Sequence, residues 1–150
     1  MRLDKNLREF IELLNSAKVE YLIVGGHAVG YHGKPRFTGD IDFFLAVSEQ
    51  NAEAVMGALN KFGFGEIGLS AEDFLKPDFV VQLGYPPNRI DLVTGISGVG
   101  FAEAWAERID GELDGVPVHF IGREHLIQNK RASGRPKDIE DVRVLEQPNV

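Results

Sequence analysis

The chain is expected to be an α/β (α+β) protein, with a mixed central β-sheet flanked by helices and closed by a helical segment at residues 122–146. Three observations predict this. Apolar residues recur at helical spacing in two stretches near the start, residues 3–16 and 49–62. Short apolar runs bounded by turn residues fall at 21–24, 40–45, 79–83 and 90–93. Finally, 150 residues with 43% hydrophobic content suffice for one domain with a real core and are too few for two of ordinary size, so residues 1–150 are expected to form one domain.

In order, Leu3, Leu7, Phe10, Ile11 and Leu14 define an amphipathic first helix. The run at 21–24 is a buried strand that stops at Gly25-Gly26, and HAVGYHG then allows a turn or two of helix. Pro35 ends that helix at Lys34. After the strand at 40–45, Ser48 is the expected N-cap of a helix carrying Ala52, Val55, Met56, Leu59 and Phe62, which ends at Gly63. Residues 64–78 suggest a short edge strand and then a helical turn stopped by Pro77. The runs at 79–83 and 90–93 make a hairpin across Pro86-Pro87-Asn88. A helix is expected from Gly100 to Ile109, with Trp105 in the core. Asp114-Gly115 then signals a two-residue hairpin whose second arm Pro117 should confine to an edge. The C-terminal stretch reads as two helices broken at Ser133-Gly134-Arg135-Pro136.

Chemistry concentrates between Tyr21 and Val47, in YLIVGGHAVGYHGKPRFTGDIDFFLAV. The two-residue period of a strand puts Ile41, Phe43 and Leu45 on one face and Asp40 and Asp42 side by side on the other. Aspartate is depleted in strands and an unpaired buried carboxylate is costly, so a pair needs a counter-charge. A divalent cation such as Mg²⁺ supplies it, with water and phosphate completing its coordination. Gly25 and Gly26 lack side chains at the start of a helix, so a phosphate can approach their backbone N–H groups. In the later strand Asp91 sits between Ile90 and Leu92 in the same pattern, either as a third acidic ligand or paired with Arg89.

Composition narrows the chemistry. The absence of cysteine excludes disulfides and thiolate metal sites, and the four histidines at 27, 32, 119 and 125 show no zinc spacing, so any metal is held by oxygen. There is no run of 18 apolar residues and no apolar segment in MRLDKNLREF, so a cytoplasmic protein without a membrane span is expected. A net charge of −7 argues against a broad nucleic-acid surface. Convergence of Lys34, Arg36, Lys130, Arg131, Arg135 and Lys137 would still make one local basic wall.

The order strand, Gly-Gly, short helix, Arg36-Phe37-Thr38-Gly39-Asp40-Ile41-Asp42, strand resembles the nucleotidyltransferase superfamily of the DNA polymerase β type. The resemblance covers a core of about 19–93 and, within the superfamily, is greatest to small bacterial proteins related to the AbiEii toxins. It implies a nucleotidyltransferase fold and transfer of a nucleoside monophosphate from an NTP to an acceptor hydroxyl. Asp40, Asp42 and Asp91 would be metal ligands and catalytic residues for two Mg²⁺ ions, with Mn²⁺ as a substitute. Gly25, Gly26, Arg36, Thr38 and Lys130 would bind the nucleotide. Lys130 shares a helix face with Leu126 and Ile127, where snorkelling is the ordinary explanation. AbiEii-like sequences carry a lysine in this helix followed by a segment like Lys137-Asp138-Ile139-Glu140-Asp141, which adds a catalytic role. The acceptor stays open among an RNA such as a tRNA end, a protein and a small molecule such as an antibiotic, and a toxin role would bring a cognate antitoxin. A non-catalytic nucleotide-binding module of the same fold is a further alternative.

Overall fold

A computed structural model describes residues 2–147. Six strands form one mixed sheet: β1 (Tyr21–Val24), β2 (Asp40–Leu45), β3 (Val80–Leu83), β4 (Arg89–Val93), β5 (Ile109–Leu113) and β6 (Val116–Phe120), in the spatial order β3-β4-β2-β1-β6-β5. The β1–β2, β3–β4 and β5–β6 pairs are antiparallel, whereas β2–β4 and β1–β6 are parallel. The helices are α1 (Lys5–Ser16), α2 (Gly25–His32), α3 (Glu49–Phe62), α4 (Phe101–Ala106), α5 (Arg123–Ser133) and α6 (Pro136–Glu146). Among the described residues no helix is long and apolar enough to cross a membrane.

The two faces of β2 are covered differently. Phe43 meets Phe10 of α1 edge-on, and Phe10 in turn meets Phe62 of α3, so α1 and α3 cover the face of Ile41, Phe43 and Leu45. On the opposite face Phe44 packs on Phe101 of α4, and the same face carries Asp40 and Asp42. Buried Asn51 of α3 stitches the two central strands together: its Oδ1 accepts from the Glu20 amide, and its Nδ2 donates to the carbonyls of Glu20 and Ala46. That clamp holds β1 and β2 at their far ends, in the register that sets Val24 opposite Asp42.

Local signals account for most boundaries. Asp4 caps α1 by accepting from the amides of Asn6 and Leu7, Ser48 caps α3 by accepting from Asn51, and Gly63 closes α3 in the left-handed region. Asp114 and Gly115 both take positive φ, as a two-residue hairpin turn matched to strand twist requires.

Three expectations are corrected. Residues 64–70 form no strand: this glycine-rich stretch has few side chains to pack, and Phe64 folds back to stack on Phe62. A 3-10 helix at Ala71–Leu75 follows. The helix beginning at Phe101 ends at Ala106, Arg108 lies over the half-buried Trp105 ring, and Ile109 already belongs to β5. Pro117 is not on an edge strand, since β6 lies between β1 and β5. It is tolerated because β6 meets β1 only near Ile23 and Phe120, leaving Pro117 upstream of that pairing, where its carbonyl accepts from Asn15 of α1.

Candidate active site

Parallel pairing of β2 with β4 aligns Asp40 with Arg89 and Asp42 with Asp91. Residues paired this way point to the same face, so two neighbouring i, i+2 pairs make a small square of three carboxylates and one guanidinium. One oxygen from each of Asp40, Asp42 and Asp91 lies within 4.8 Å of the others. The sequence left Asp91 with two roles, ligand or partner of Arg89, and the geometry contains both. Arg89 donates from Nε to Asp91 Oδ1 at 2.8 Å and from Nη2 to Asp91 Oδ2 at 2.9 Å, and Nη2 also reaches Asp40 Oδ2 at 3.2 Å.

Asp42 is the acid that Arg89 does not reach. Burial, then the charge of Asp40 and the hydrogen bond and charge of Asp91, push its carboxyl up to about 8. With all three acids ionised, one guanidinium leaves two negative charges in excess, which is the charge of one divalent cation. An all-oxygen donor set of this kind suits Mg²⁺ or Mn²⁺.

The glycine turn adjoins the acids. Gly25 has φ +69°, and a Cβ there would stand 2.1 Å from Asp42 Oδ2, so both the backbone and the carboxylate require glycine. Gly26 lies under the connector that returns to β2: a Cβ on it would stand 2.6 Å from Thr38 Cγ2 and 3.4 Å from Arg36 Nη2. Thr38 Oγ1 donates to the Asp40 backbone carbonyl, 3.0 Å away, tying the connector to the start of β2. His27 follows the glycines, and burial holds its imidazole below the ordinary range, opposed in part by the charge of Asp40.

Lys130 is buried, as its helix face requires, but its partners are carboxylates of α6 rather than Asp40, Asp42 or Asp91. Its Nζ lies 3.4 Å from Asp138 Oδ1 and 3.3 Å from Asp141 Oδ2. Asp141 also accepts from Arg36 Nη1 at 2.6 Å, so Lys130 connects to the glycine turn through Asp141 and Arg36. Arg135 donates to Asp138 from Nε at 2.8 Å. Burial raises the Asp138 carboxyl, yet the Arg135 hydrogen bond and the charges of Lys130 and Arg135 hold it below its ordinary value. The two basic segments therefore do converge, but not as a free wall: Arg36, Lys130, Arg131 and Arg135 are each paired with a carboxylate. Sequence reasoning missed Asp141 as the anchor of Arg36. The available signal was its three-residue spacing from Asp138, which places both acids on the face that buries Val142 and Leu145.

A mixed sheet flanked by helices, with paired aspartates beside a Gly-Gly turn and a third aspartate on the adjoining parallel strand, defines a nucleotidyltransferase-like fold. The chain belongs to the family described as nucleotidyltransferase of unknown function (DUF6036), which it matches over residues 1–146. Comparison with curated proteins gives no match.

Proposed function

We propose that the protein, acting as one domain, is a metal-dependent nucleotidyltransferase that moves a nucleoside monophosphate from an NTP to an acceptor hydroxyl and releases pyrophosphate. The observation that carries this reading is the meeting of Asp40, Asp42 and Asp91 within 4.8 Å beside the glycine turn. Asp40 and Asp42 would hold Mg²⁺, two ions in the full complex, with Asp91 completing the site. Bound divalent ions supply charge neutralisation at the triphosphate and at the attacking and leaving oxygens.

The remaining work belongs to the chain. Backbone donors at Gly25 and Gly26 receive the phosphates, and Arg36, held by Asp141, adds a fixed positive charge beside them. Thr38 keeps the connector over the turn. The acceptor oxygen forms a bond to the α-phosphorus as the bond to pyrophosphate breaks, and Asp91 is the candidate to take the acceptor's proton, which requires Arg89 to release one of its oxygens. Lys130 serves this reading indirectly, by fixing Asp141 and hence Arg36.

The pairing of Lys130, Arg131 and Arg135 with carboxylates and the net charge of −7 favour a protein, a small molecule or only the terminus of an RNA as acceptor, since none of these needs a long basic track. The AbiEii-like version of this proposal is a cytoplasmic toxin acting on a tRNA end or a protein, restrained by a cognate antitoxin. Its rival is an antibiotic-modifying enzyme. The test is incubation with α-labelled ATP, CTP, GTP and UTP plus Mg²⁺ against total tRNA, protein extract, the chain itself and hydroxylated antibiotics. Label should enter one class of acceptor with wild type and none with Asp42→Asn. Absence of both transfer and metal-dependent NTP binding would sink the proposal.

A further inference from the structure

His27, Gly30 and Tyr31 stand at i, i+3 and i+4 on α2 and so form one stripe of that helix. The connector runs back along the stripe: a Cβ on Gly30 would be 3.7 Å from the Arg36 nitrogen and 3.8 Å from Pro35 Cα. Between them, with Phe37 and with Leu113 of β5, lies a cleft of about 550 Å³. That is within the range of small-molecule sites.

Two of its lining residues are large aromatics, and one of them, Tyr31, is held in place. The Tyr31 ring stacks on Phe120 at 4.0 Å and 16°, and its hydroxyl occupies the space above Gly111, where a Cβ would come within 2.9 Å of it. Tyr31 is nevertheless 45% exposed, and Phe37 is 85% exposed. Two large rings open to solvent at one cleft offer apolar surface that a flat ligand could cover. The buried Nδ1 of His27 has no hydrogen-bond partner among the described residues, although buried polar atoms are ordinarily paired. The same residue lines the cleft, with that nitrogen turned away from solvent.

The cleft opens from the glycine turn. His27 is the residue after Gly26, Arg36 lines the cleft and its guanidinium stands 3.4 Å from where a Cβ on Gly26 would lie, and Phe37 precedes the Thr38 that bonds to Asp40. In a bound nucleotide the flat ring lies one ribose from the α-phosphate, the group that reacts at the acids beside Gly25. Tyr85, also exposed, lines a separate cleft with Phe62, Phe64 and Leu83 that includes neither His27 nor Arg36, the neighbours of the glycine turn.

Building on the nucleotidyltransferase reading, we propose that the cleft between α2 and the 35–37 connector is the site of the NTP's heteroaromatic base, stacked between Tyr31 and Phe37 and hydrogen-bonded at its edge by His27. Stacking of this kind tolerates different bases, so discrimination among them would fall to the His27 contact.

The test is calorimetric binding, with Mg²⁺, of the four NTPs and of inorganic tripolyphosphate, which carries no base. At least one NTP should bind wild type more tightly than tripolyphosphate does. Phe37→Ala should weaken that NTP roughly 5- to 100-fold, the usual range for one base–aromatic stack, and leave tripolyphosphate unchanged. Gly30→Leu, at a position without positive φ, should fill the cleft and do the same. Wild-type NTP affinity in both variants overturns the base site while leaving the metal site standing. Unchanged NTP affinity with loss of acceptor labelling in Phe37→Ala also overturns it, and assigns the cleft to the acceptor. Failure of wild type to bind either NTP or tripolyphosphate removes the nucleotidyltransferase reading and this proposal with it.

Discussion

Two clusters of charge border the glycine turn, and they are balanced in opposite ways. On the sheet, Asp40, Asp42 and Asp91 face a single cation, Arg89, and Asp42 is left with a carboxyl pushed up to about 8 by burial and its two acidic neighbours. Between α5 and α6, Asp138 and Asp141 face three cations, Lys130, Arg36 and Arg135, and the Asp138 carboxyl lies below its ordinary value. The first cluster lacks positive charge and is half open; in the second both carboxylates are buried and each meets two cations, with Asp138 fully buried. A deficit that the fold itself does not neutralise points to a ligand, whereas buried carboxylates that are all paired point to architecture.

The largest expected effect breaks the closed cluster. Lys130→Ala removes the cation shared by two buried carboxylates, leaving Asp138 with Arg135 alone and Asp141 with Arg36 alone, and should destabilise the fold by about 3 kcal/mol in denaturant titration, the low end for a broken buried pair. The same substitution on an exposed lysine would leave stability within about 0.5 kcal/mol, and that outcome here would dissolve the contrast between the clusters.

Arg36 joins the two regions. Its replacement by alanine should weaken Mg²⁺–NTP binding by about 1.5–3 kcal/mol, the scale of a lost charged hydrogen bond. Asp141→Asn should show a smaller loss in the same direction, because it loosens Arg36 without removing it. If Asp141→Asn changes stability alone, the link from α6 to the turn has no functional content.

The clusters should also titrate oppositely. Asp42 in the metal-free fold keeps its proton to about pH 8, while the unfolded chain releases it near pH 4. Its contribution is therefore fully present below about pH 4 and lost as pH rises toward 8. Asp138, with a lowered value, contributes stability above about pH 4 that is lost as pH falls through its folded-state value. Asp42→Asn should raise the metal-free Tm at pH 8 by at least about 2–4 °C, abolish the Tm increase produced by Mg²⁺ and flatten the alkaline side of the profile. Asp138→Asn should flatten the acid side instead. Parallel profiles for the two variants would show that the clusters do not differ in charge balance.

Arg89 gives the smallest effect. It is the cation already resident among the acids, so Arg89→Gln should tighten Mn²⁺ binding about two- to fivefold by paramagnetic titration without nucleotide, the scale of a partly exposed ion pair. Weaker binding would mean that Arg89 mainly positions Asp91.

How much of this could be read in advance depends on the range of the interaction. The period of β2, the caps at Ser48 and Gly63, the Asp114-Gly115 turn and the break before Pro136 are local, and adjacent residues carry them. The placement of Asp40 beside Asp42 is local as well, because a strand alternates its faces. Whether Asp91 would join them depended on the parallel register of β2 with β4, which spans almost fifty residues and has no local signature. Pro117 was misplaced for the same reason: edge or interior is decided by which strands pair, not by the proline. The sequence by itself determined the elements, the acid pair and the glycine turn. Tertiary structure alone decided that Arg89 sits among the acids, that Lys130 pairs with Asp138 and Asp141, and that Tyr31 and Phe37 open on one cleft, because each of these rests on contacts between segments that only packing brings together.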